Sequence, residues 1–192
     1  MKKAFLLASI LFISVISTAC INNFAVQELN NKAKEFMDKG DYISAIERLK
    51  SSVDLDGSVF ETQYNLAVAY TQAEDYKNAI KTYKDAMKLN PDFADIYYSL
   101  AVCEENLAKD IISGNIFINE NGDMEKANNT EEDDKKSILT DEAKNVIKNL
   151  LEDAIANYKI YADKASNTDD IDSKIDELET LLKEHTNVSI AQ

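Results

Sequence analysis

Residues 60–93 read FETQYNLAVAYTQAEDYKNAIKTYKDAMKLNPDF, and this stretch decides the fold of the chain. Its apolar side chains recur at the spacing of helices that bury one face. A turn at Glu74-Asp75 separates two helical patterns. The second pattern stops at Asn90-Pro91, because proline disfavours a helical residue before it and has no N–H to donate. The stretch therefore predicts two antiparallel helices joined by a short turn.

The pattern repeats along the chain with a period of 34 residues. Upstream Ala33 and downstream Ala101 both align with Ala67, and small residues at such positions let paired helices approach closely. The quoted stretch matches the following positions of a known repeat: Leu66, Ala67, Tyr70, Tyr76, Ala79, Tyr83, Ala86 and Pro91. It departs at Gln63, where that repeat has an aromatic residue. The period and the residues resemble the tetratricopeptide repeat, or TPR.

The resemblance implies an all-α fold, a short right-handed TPR-like helical solenoid of about three helix-turn-helix repeats with a C-terminal capping helix. The predicted parts are a first repeat at 26–59, a second at 60–93, a third at 94–163 interrupted by an insertion at 111–140, a capping helix at 168–186 and a tail at 187–192. Ile171, Ile175 and Leu178 give the capping helix an apolar face that can cover the last repeat.

The third repeat is predicted to be split by its insertion. Lys109-Asp110 occupies the turn position, but turn-forming residues follow it in place of a second helix. Ile116–Ile118 can pair briefly across Asn121-Gly122. Thr140 is the predicted N-cap at which the second helix resumes, since a threonine oxygen accepts a hydrogen bond from the first helical turn.

The first twenty residues read MKKAFLLASILFISVISTAC and have the layout of an export signal. Lys2 and Lys3 precede an apolar run that is too short to span a bilayer comfortably, and small residues follow it. The end of this segment resembles a bacterial lipoprotein cleavage box. The resemblance implies a signal peptide at 1–19, acylation of Cys20 and a short linker that ends at residue 25. Ser17 departs from the aliphatic residue usual in that box, so cleavage near Ala19 without lipidation is the alternative.

The chain is acidic, with 21 Lys and Arg against 35 Asp and Glu and a net charge of −14. Such a surface repels phosphate backbones, so nucleic acid is not an expected partner. It also opposes binding of an amphipathic helix to anionic lipid. Membrane contact is therefore expected through the lipid anchor only.

The sequence contains no recognisable catalytic constellation. His185 is the one histidine of the chain, and no paired nucleophile or metal-ligand pattern accompanies it. Cys103 falls at a position of the third repeat that calls for a small buried residue, so it is expected to pack as a thiol. The acidic run at 131–134 lacks the ligand spacing and the glycine of an EF-hand. We therefore expect no enzyme activity, no cofactor and no metal.

TPR proteins usually bind extended peptides or partner helices on a concave face lined by the first helix of each repeat. The resemblance places on that face Asn30 and Lys34 of the first repeat, Tyr64, Asn65 and Val68 of the second, and Tyr98, Ser99, Val102 and Glu105 of the third. Lys34 is the single basic residue of the predicted lining, so a neutral or basic partner is expected rather than an acidic tail. Tyr64 and Tyr98 either anchor the partner or pack against the capping helix or the insertion.

These features together predict a lipid-anchored interaction scaffold or adaptor of the bacterial cell envelope that binds another envelope protein. Ile21 follows the cysteine where some lipoproteins of this kind carry aspartate, which implies the outer membrane, with the folded part facing the periplasm. The alternative is a soluble, exported chaperone or adaptor without a lipid anchor.

Overall fold

The structure is a computed structural model, and it describes residues 22–119, 123–126, 139–165 and 170–186. Within these ranges the chain forms helices α1 (22–38), α2 (Tyr42–Leu55), α3 (Phe60–Gln72), α4 (Tyr76–Leu89) and α5 (Ala94–Ile112), strands β1 (Ile116–Ile118) and β2 (Met124–Lys126), and helices α6 (Asp141–Lys164) and α7 (Ile171–Thr186). The predicted signal peptide, Cys20 and the C-terminal tail at 187–192 lie outside the described residues.

The helices form three consecutive pairs, α1 with α2, α3 with α4 and α5 with α6, and α7 packs on α6. Each pair also packs on the next, through α2 against α3 and α4 against α5. This is the predicted TPR-like helical solenoid. A two-stranded hairpin is its one non-helical element within the described ranges.

The turns inside the first two pairs have the same construction. Asp41 and Asp75 each cap the following helix, with a side-chain oxygen that accepts from the backbone N–H of Ser44 or Asn78. The residue before each cap has a positive φ, 75° at Gly40 and 57° at Glu74. Glycine adopts that conformation without cost, whereas Glu74 is held in it by its surroundings.

Small residues lie where paired helices cross, and large ones fill the space beside them. The fully buried alanines are Ala33, Ala45, Ala67, Ala69, Ala79, Ala86, Ala101, Ala108 and Ala154. Tyr83 and Tyr158 are the largest buried side chains among the described residues. Because alanine brings the backbones close while tyrosine fills the adjacent gap, the sequence pattern specifies the depth of packing in the second and third pairs.

The third repeat differs from the prediction at its turn. Lys109 and Asp110, expected to turn, lie inside α5, and the helix continues because Ile111 is buried beneath it. The chain turns instead at Ser113 and at Gly114, whose φ is 79°. The predicted brief pairing is present, with β1 antiparallel to β2 and Phe117 opposite Glu125.

Two predicted helix starts have clear outcomes. Thr140 is the N-cap of α6, as expected, and its hydroxyl oxygen accepts from the backbone N–H of Ala143 at 3.1 Å. At the other end of the chain, residues 22–25 were predicted as linker but are already helical. The linker was predicted to end at residue 25 because the 34-residue period places the start of the first repeat at Val26, whereas the helix extends beyond the repeat toward the N-terminus.

The last described helix covers the third pair. Ile171, Ile175, Leu178 and Leu182 of α7 are buried in the same apolar cluster as Leu151 of α6. This is the role predicted for a capping helix, because an uncovered final pair would expose its apolar face to water.

Candidate functional site

A cleft of about 270 Å³ opens between α1 and α3 in the first two repeats. It is lined by Asn30, Ala33, Lys34, Met37, Asp38, Leu49 and Asn65. Three of the residues predicted for the concave face, Asn30, Lys34 and Asn65, therefore share one cleft. Its lining is polar at the rim and apolar at the floor, as suits a side chain of mixed character.

Asn30 is committed to holding the helices together. Its Nδ2 lies 2.9 Å from the Val26 carbonyl oxygen, 3.0 Å from Ser52 Oγ and 2.9 Å from Thr62 Oγ1, which belong to α1, α2 and α3. Lys34 is exposed, and its one ion pair among the described residues is with Asp38 at 3.1 Å on the next helical turn. Such a pair contributes little to stability, so the Lys34 ammonium remains available to a ligand.

Tyr64 lies where the second repeat packs on the third. Its ring centroid lies 5.9 Å from that of Phe60, 5.3 Å from that of Phe93 and 5.8 Å from that of Tyr83. Its hydroxyl oxygen lies 3.4 Å from Ser99 Oγ on α5. The structure thus brings two predicted groove residues together, because Tyr64 lies in a ring cluster and its hydroxyl reaches Ser99. Val68 is half-buried against that cluster.

Tyr98 packs on the third repeat but keeps an accessible edge. Its ring centroid lies 5.7 Å from that of Tyr158 and 5.2 Å from that of Tyr161, both on α6. The residue is nevertheless 37% exposed. Tyr98 is therefore a ring held in place on one side and presented to solvent on the other, whereas its neighbour Val102 is half-buried in the core.

Glu105 was predicted to line the groove, but it is buried. Its Oε2 accepts from the Tyr158 hydroxyl at 2.7 Å and its Oε1 from Lys109 Nζ at 2.7 Å, and Lys174 of α7 lies 3.4 Å away. Burial opposes the charge of this carboxylate, but the hydrogen bonds from Lys109 and Tyr158 outweigh it and lower the pKa of Glu105. The glutamate is therefore a charged link from α5 to α6 and α7, and is not open to a ligand.

Glu104, next to it, is also buried and is less well compensated. Its Oε2 accepts from Asn157 Nδ2 at 2.8 Å. Its Oε1 lies 3.4 Å from Lys84 Nζ but has no hydrogen-bond partner among the described residues. Burial raises the pKa of Glu104 to about 7, an effect that Asn157 and Lys84 offset only in part. Glu104 was not identified from the sequence. The available signal was its alignment with Tyr70, since the third repeat has an acid where the second repeat has a tyrosine.

A second cleft, of about 350 Å³, lies between the hairpin and the turn-side edge of the first two repeats. Its apolar floor and wall come from Ile43, Ile46, Ala73, Tyr76, Leu107, Ile116 and Met124, and its rim from Glu74, Asp75, Lys77, Glu125 and Lys126. We call it the hairpin cleft. Sequence analysis did not find it, because the hairpin was not expected to fold back over α2 and the α3–α4 turn. The one signal in the sequence was Ile43, an isoleucine on the outer face of α2. In the structure Ile43 is 66% exposed.

Across the described ranges, no group of three or more His, Cys, Asp or Glu side chains is arranged to hold a metal ion. In the same part of the chain, every helix is too short or too polar to cross a membrane.

Residues 69–103 match a family model for the TPR repeat. No curated protein matches the chain. Among solved structures, the first TPR domain of Spaghetti (RPAP3) bound to the HSP90 peptide SRMEEVD is 16% identical, with a TM-score of 0.56 over 82% of this chain and 92% of that one. The second TPR domain of human RPAP3, in complex with the HSP70 peptide SGPTIEEVD, is 13% identical, with a TM-score of 0.56 over 82% and 98%. The Arabidopsis OM64 TPR domain is 11% identical, with a TM-score of 0.57 over 83% and 98%. These likenesses show the fold.

Proposed function

We propose that this protein is a lipid-anchored interaction scaffold of the bacterial cell envelope, which binds an extended peptide or a partner helix in the concave groove lined by α1, α3 and α5. The observation that carries the proposal is the TPR-like solenoid with an open cleft between α1 and α3. Two of the similar TPR domains hold peptides of HSP90 and HSP70. TPR domains are typically non-catalytic interaction modules, which agrees with a binding role.

The ligand of this groove differs in charge from the peptides of those two domains, which end in the acidic sequence EEVD. Lys34 is the one basic side chain predicted for this groove, and Asp38 lies 3.1 Å from it. A carboxylate-rich tail would therefore meet little positive charge on a chain whose net charge is −14. A neutral or basic segment fits better, with Asn65 and the Tyr98 edge as its first contacts.

The anchor would be an acyl group on Cys20, the residue that ends the lipoprotein-like cleavage box. Two or three acyl chains hold a protein stably on a bilayer, whereas one chain does not. Because α1 is helical from residue 22, the folded part would lie directly at the membrane. The outer membrane, facing the periplasm, is the expected site. Ser17 favours the second candidate, a soluble exported chaperone or adaptor with the same groove.

The two candidates are separated by mass spectrometry of the mature N-terminus. A scaffold with a lipid anchor gives an acylated peptide that begins at Cys20, and globomycin, which blocks lipoprotein signal cleavage, makes the precursor accumulate. An unmodified N-terminus together with globomycin resistance would remove the anchor and leave the soluble adaptor.

The groove is tested in the producing cell with a photo-crosslinking amino acid at position 65. The matched control places the same amino acid at Lys81, which is exposed on α4, outside the first helices that line the groove. We expect one defined adduct from position 65 and none from position 81, and Tyr98→Ala should weaken the adduct. Equal adducts from the two positions, or no effect of Tyr98→Ala, would contradict a ligand in the groove.

A further inference from the structure

We infer that the hairpin cleft is a second binding site, which takes an extended segment of a partner protein as a third strand on the edge of β2 that faces away from β1 and has no strand partner within the described ranges. The segment would carry aliphatic residues alternating with lysine or arginine. This site is separate from the concave groove, and the inference does not depend on the proposed function of that groove.

The hydrogen bonds of the hairpin show which edge of β2 is unpaired within the described ranges. The Asn119 N–H donates to the Asp123 carbonyl at 2.9 Å. Bonded and non-bonded pairs alternate along an antiparallel ladder, so Phe117 and Glu125 form the next bonded pair. Met124 and Lys126 therefore direct their N–H and C=O groups away from β1. Among the described residues, no other backbone group pairs with this edge.

The cleft beside this edge provides the apolar contact. Met124 and Lys126 point to the same face of the hairpin, because side chains alternate along a strand. That face borders the cleft, which Ile43 and Tyr76 also line and where Ile43 is 66% exposed. A strand added to β2 would point every second side chain into the cleft. Its volume of about 350 Å³ accommodates one or two aliphatic side chains.

Charge decides which segment fits. The rim of the cleft carries the carboxylates of Glu74, Asp75 and Glu125 together with Lys77 and Lys126. Because side chains alternate along a strand, the Glu125 side chain points to the hairpin face opposite Met124 and Lys126. Glu74 and Glu125 form no ion pair with any described residue, and the chain as a whole carries a net charge of −14. The basic residues of the incoming strand would alternate with the aliphatic ones that enter the cleft, so one of them would lie opposite Glu125 and compensate its charge.

The same reasoning disfavours a second copy of this chain as the occupant. Antiparallel pairing of two β2 edges about their middle residue would set the two Glu125 side chains directly opposite each other. Like charges at that position destabilise a strand pair, as they do where natural edge strands resist self-association. The acidic edge thus selects a basic partner.

The test titrates the full chain, labelled with 15N, with the peptide Lys-Val-Lys-Val-Lys-Val and, as its charge control, Glu-Val-Glu-Val-Glu-Val. Only the lysine peptide should give saturable amide shifts, centred on 124–126 and on Ile43, and salt should weaken them. Lys126→Pro removes the lysine charge and one outward backbone N–H, whereas Lys126→Gln removes the charge and keeps the N–H. The Kd for the lysine peptide should therefore be about fivefold higher for Lys126→Pro than for Lys126→Gln. Ile43→Ser should weaken binding, whereas Ile160→Ser, at an exposed isoleucine on α6, should not.

Three results would overturn the inference. The first is no saturable shift with the lysine peptide, and the second is equal binding of both peptides. The third is a dimer in sedimentation experiments that Lys126→Pro dissociates, since it would assign the edge to a second copy. Shifts confined to Asn65 and Tyr98 would remove the hairpin site and leave the groove proposal standing. Because Ile43 and β2 belong to separate elements, misfolding of one variant cannot mimic loss of binding in both.

Discussion

The helices α3 and α5 occupy equivalent places in successive repeats but differ in one buried pair of residues. Tyr70-Thr71 of α3 corresponds, 34 residues later, to Glu104-Glu105 of α5. In the second repeat, Thr71 Oγ1 lies 3.5 Å from the Tyr83 hydroxyl and 3.1 Å from the thiol of Cys103. All the groups at that contact are neutral.

The third repeat builds the same contact with charges. Glu105 stands at the position of Thr71, and the Tyr158 hydroxyl donates to it at 2.7 Å. Lys174 of α7 lies 3.4 Å from Glu105, just as Cys103 of the following helix α5 lies close to Thr71 in the second repeat. In each of these two repeats, a tyrosine hydroxyl on the second helix thus contacts a side chain on the first helix. The geometry of the repeat is retained while its chemistry changes.

The difference follows from how each second helix reaches its partner. A three-residue turn joins α3 to α4, so chain connectivity alone fixes their register. Between α5 and α6 lies the insertion, and closing a longer loop fixes less. The bonds Glu104–Asn157 and Glu105–Tyr158 both join residues 53 apart, so two neighbours on one helix meet two neighbours on the other. Buried polar pairs of this kind specify register, at a cost in stability.

The largest expected effect comes from Glu104, where that cost is greatest. Its folded-state pKa of about 7 is raised above the ordinary 4.5, chiefly by burial. The stabilising effect of its bound proton is therefore fully present below pH 4.5 and is lost as the pH rises through 7. We expect the unfolding free energy of Glu104→Gln to rise relative to that of the wild type between pH 5 and pH 8, by at most about 3 kcal/mol. Urea unfolding at a series of pH values measures this.

Glu105→Gln is the matched control, because the neighbouring carboxyl shifts the other way. Its pKa is lowered, so its contribution to stability is present above the ordinary value of 4.5 and is lost as the pH falls through the folded value. Glu105→Gln should be less stable than the wild type at pH 7 and approach it in acid. Parallel stability curves for the two variants would contradict the opposite roles of these glutamates.

The sequence predicted the regular parts of the molecule because they depend on local pattern. The alanine and tyrosine spacing of residues 60–93 was enough to predict the helix pairs, and Thr140 was recognised as a cap from its own chemistry. The end of α5 was misjudged because Ile111 is kept helical by burial against other elements, which no local signal records.

The candidate sites were harder to predict, because they depend on contacts distant in sequence. Tyr64 was assigned to the groove from its repeat position, yet the ring of Phe93, at the end of the same repeat, packs against it. The hairpin cleft needs the fold-back of β2 onto Ile43, about eighty positions earlier in the chain, a distance over which periodicity carries no information. Position in a repeat predicts the face of a helix, but not what later covers that face.

The next effect compares the two tyrosines at equivalent repeat positions. Tyr64 contacts three rings, whereas Tyr98 contacts two and is 37% exposed. We expect Tyr64→Ala to lower the unfolding free energy by about 2–3 kcal/mol and Tyr98→Ala by about 1 kcal/mol, because less buried surface is lost at position 98. Thermal and urea unfolding measure both.

Tyr64→Phe is the control that separates ring packing from the hydroxyl. It keeps the three ring contacts and loses only the oxygen 3.4 Å from Ser99, so its stability should stay near that of the wild type. If Tyr98→Ala proves as damaging as Tyr64→Ala, Tyr98 is a core residue and its role as the exposed anchor of the groove is wrong.

The smallest effect isolates the contact that changed between the repeats. Tyr158→Phe removes the 2.7 Å hydrogen bond to the charged Glu105, and Tyr83→Phe removes a 3.5 Å contact with the neutral Thr71. Because a hydrogen bond to a charged group is the stronger and its loss leaves a buried carboxylate less well solvated, Tyr158→Phe should cost about 1–2 kcal/mol and Tyr83→Phe about 0.5 kcal/mol. Hydrogen exchange of α7 amides should rise only in Tyr158→Phe, since Lys174 shares Glu105 with that tyrosine. Equal losses in the two variants would mean that the charged contact holds the third repeat no more firmly than the neutral one holds the second.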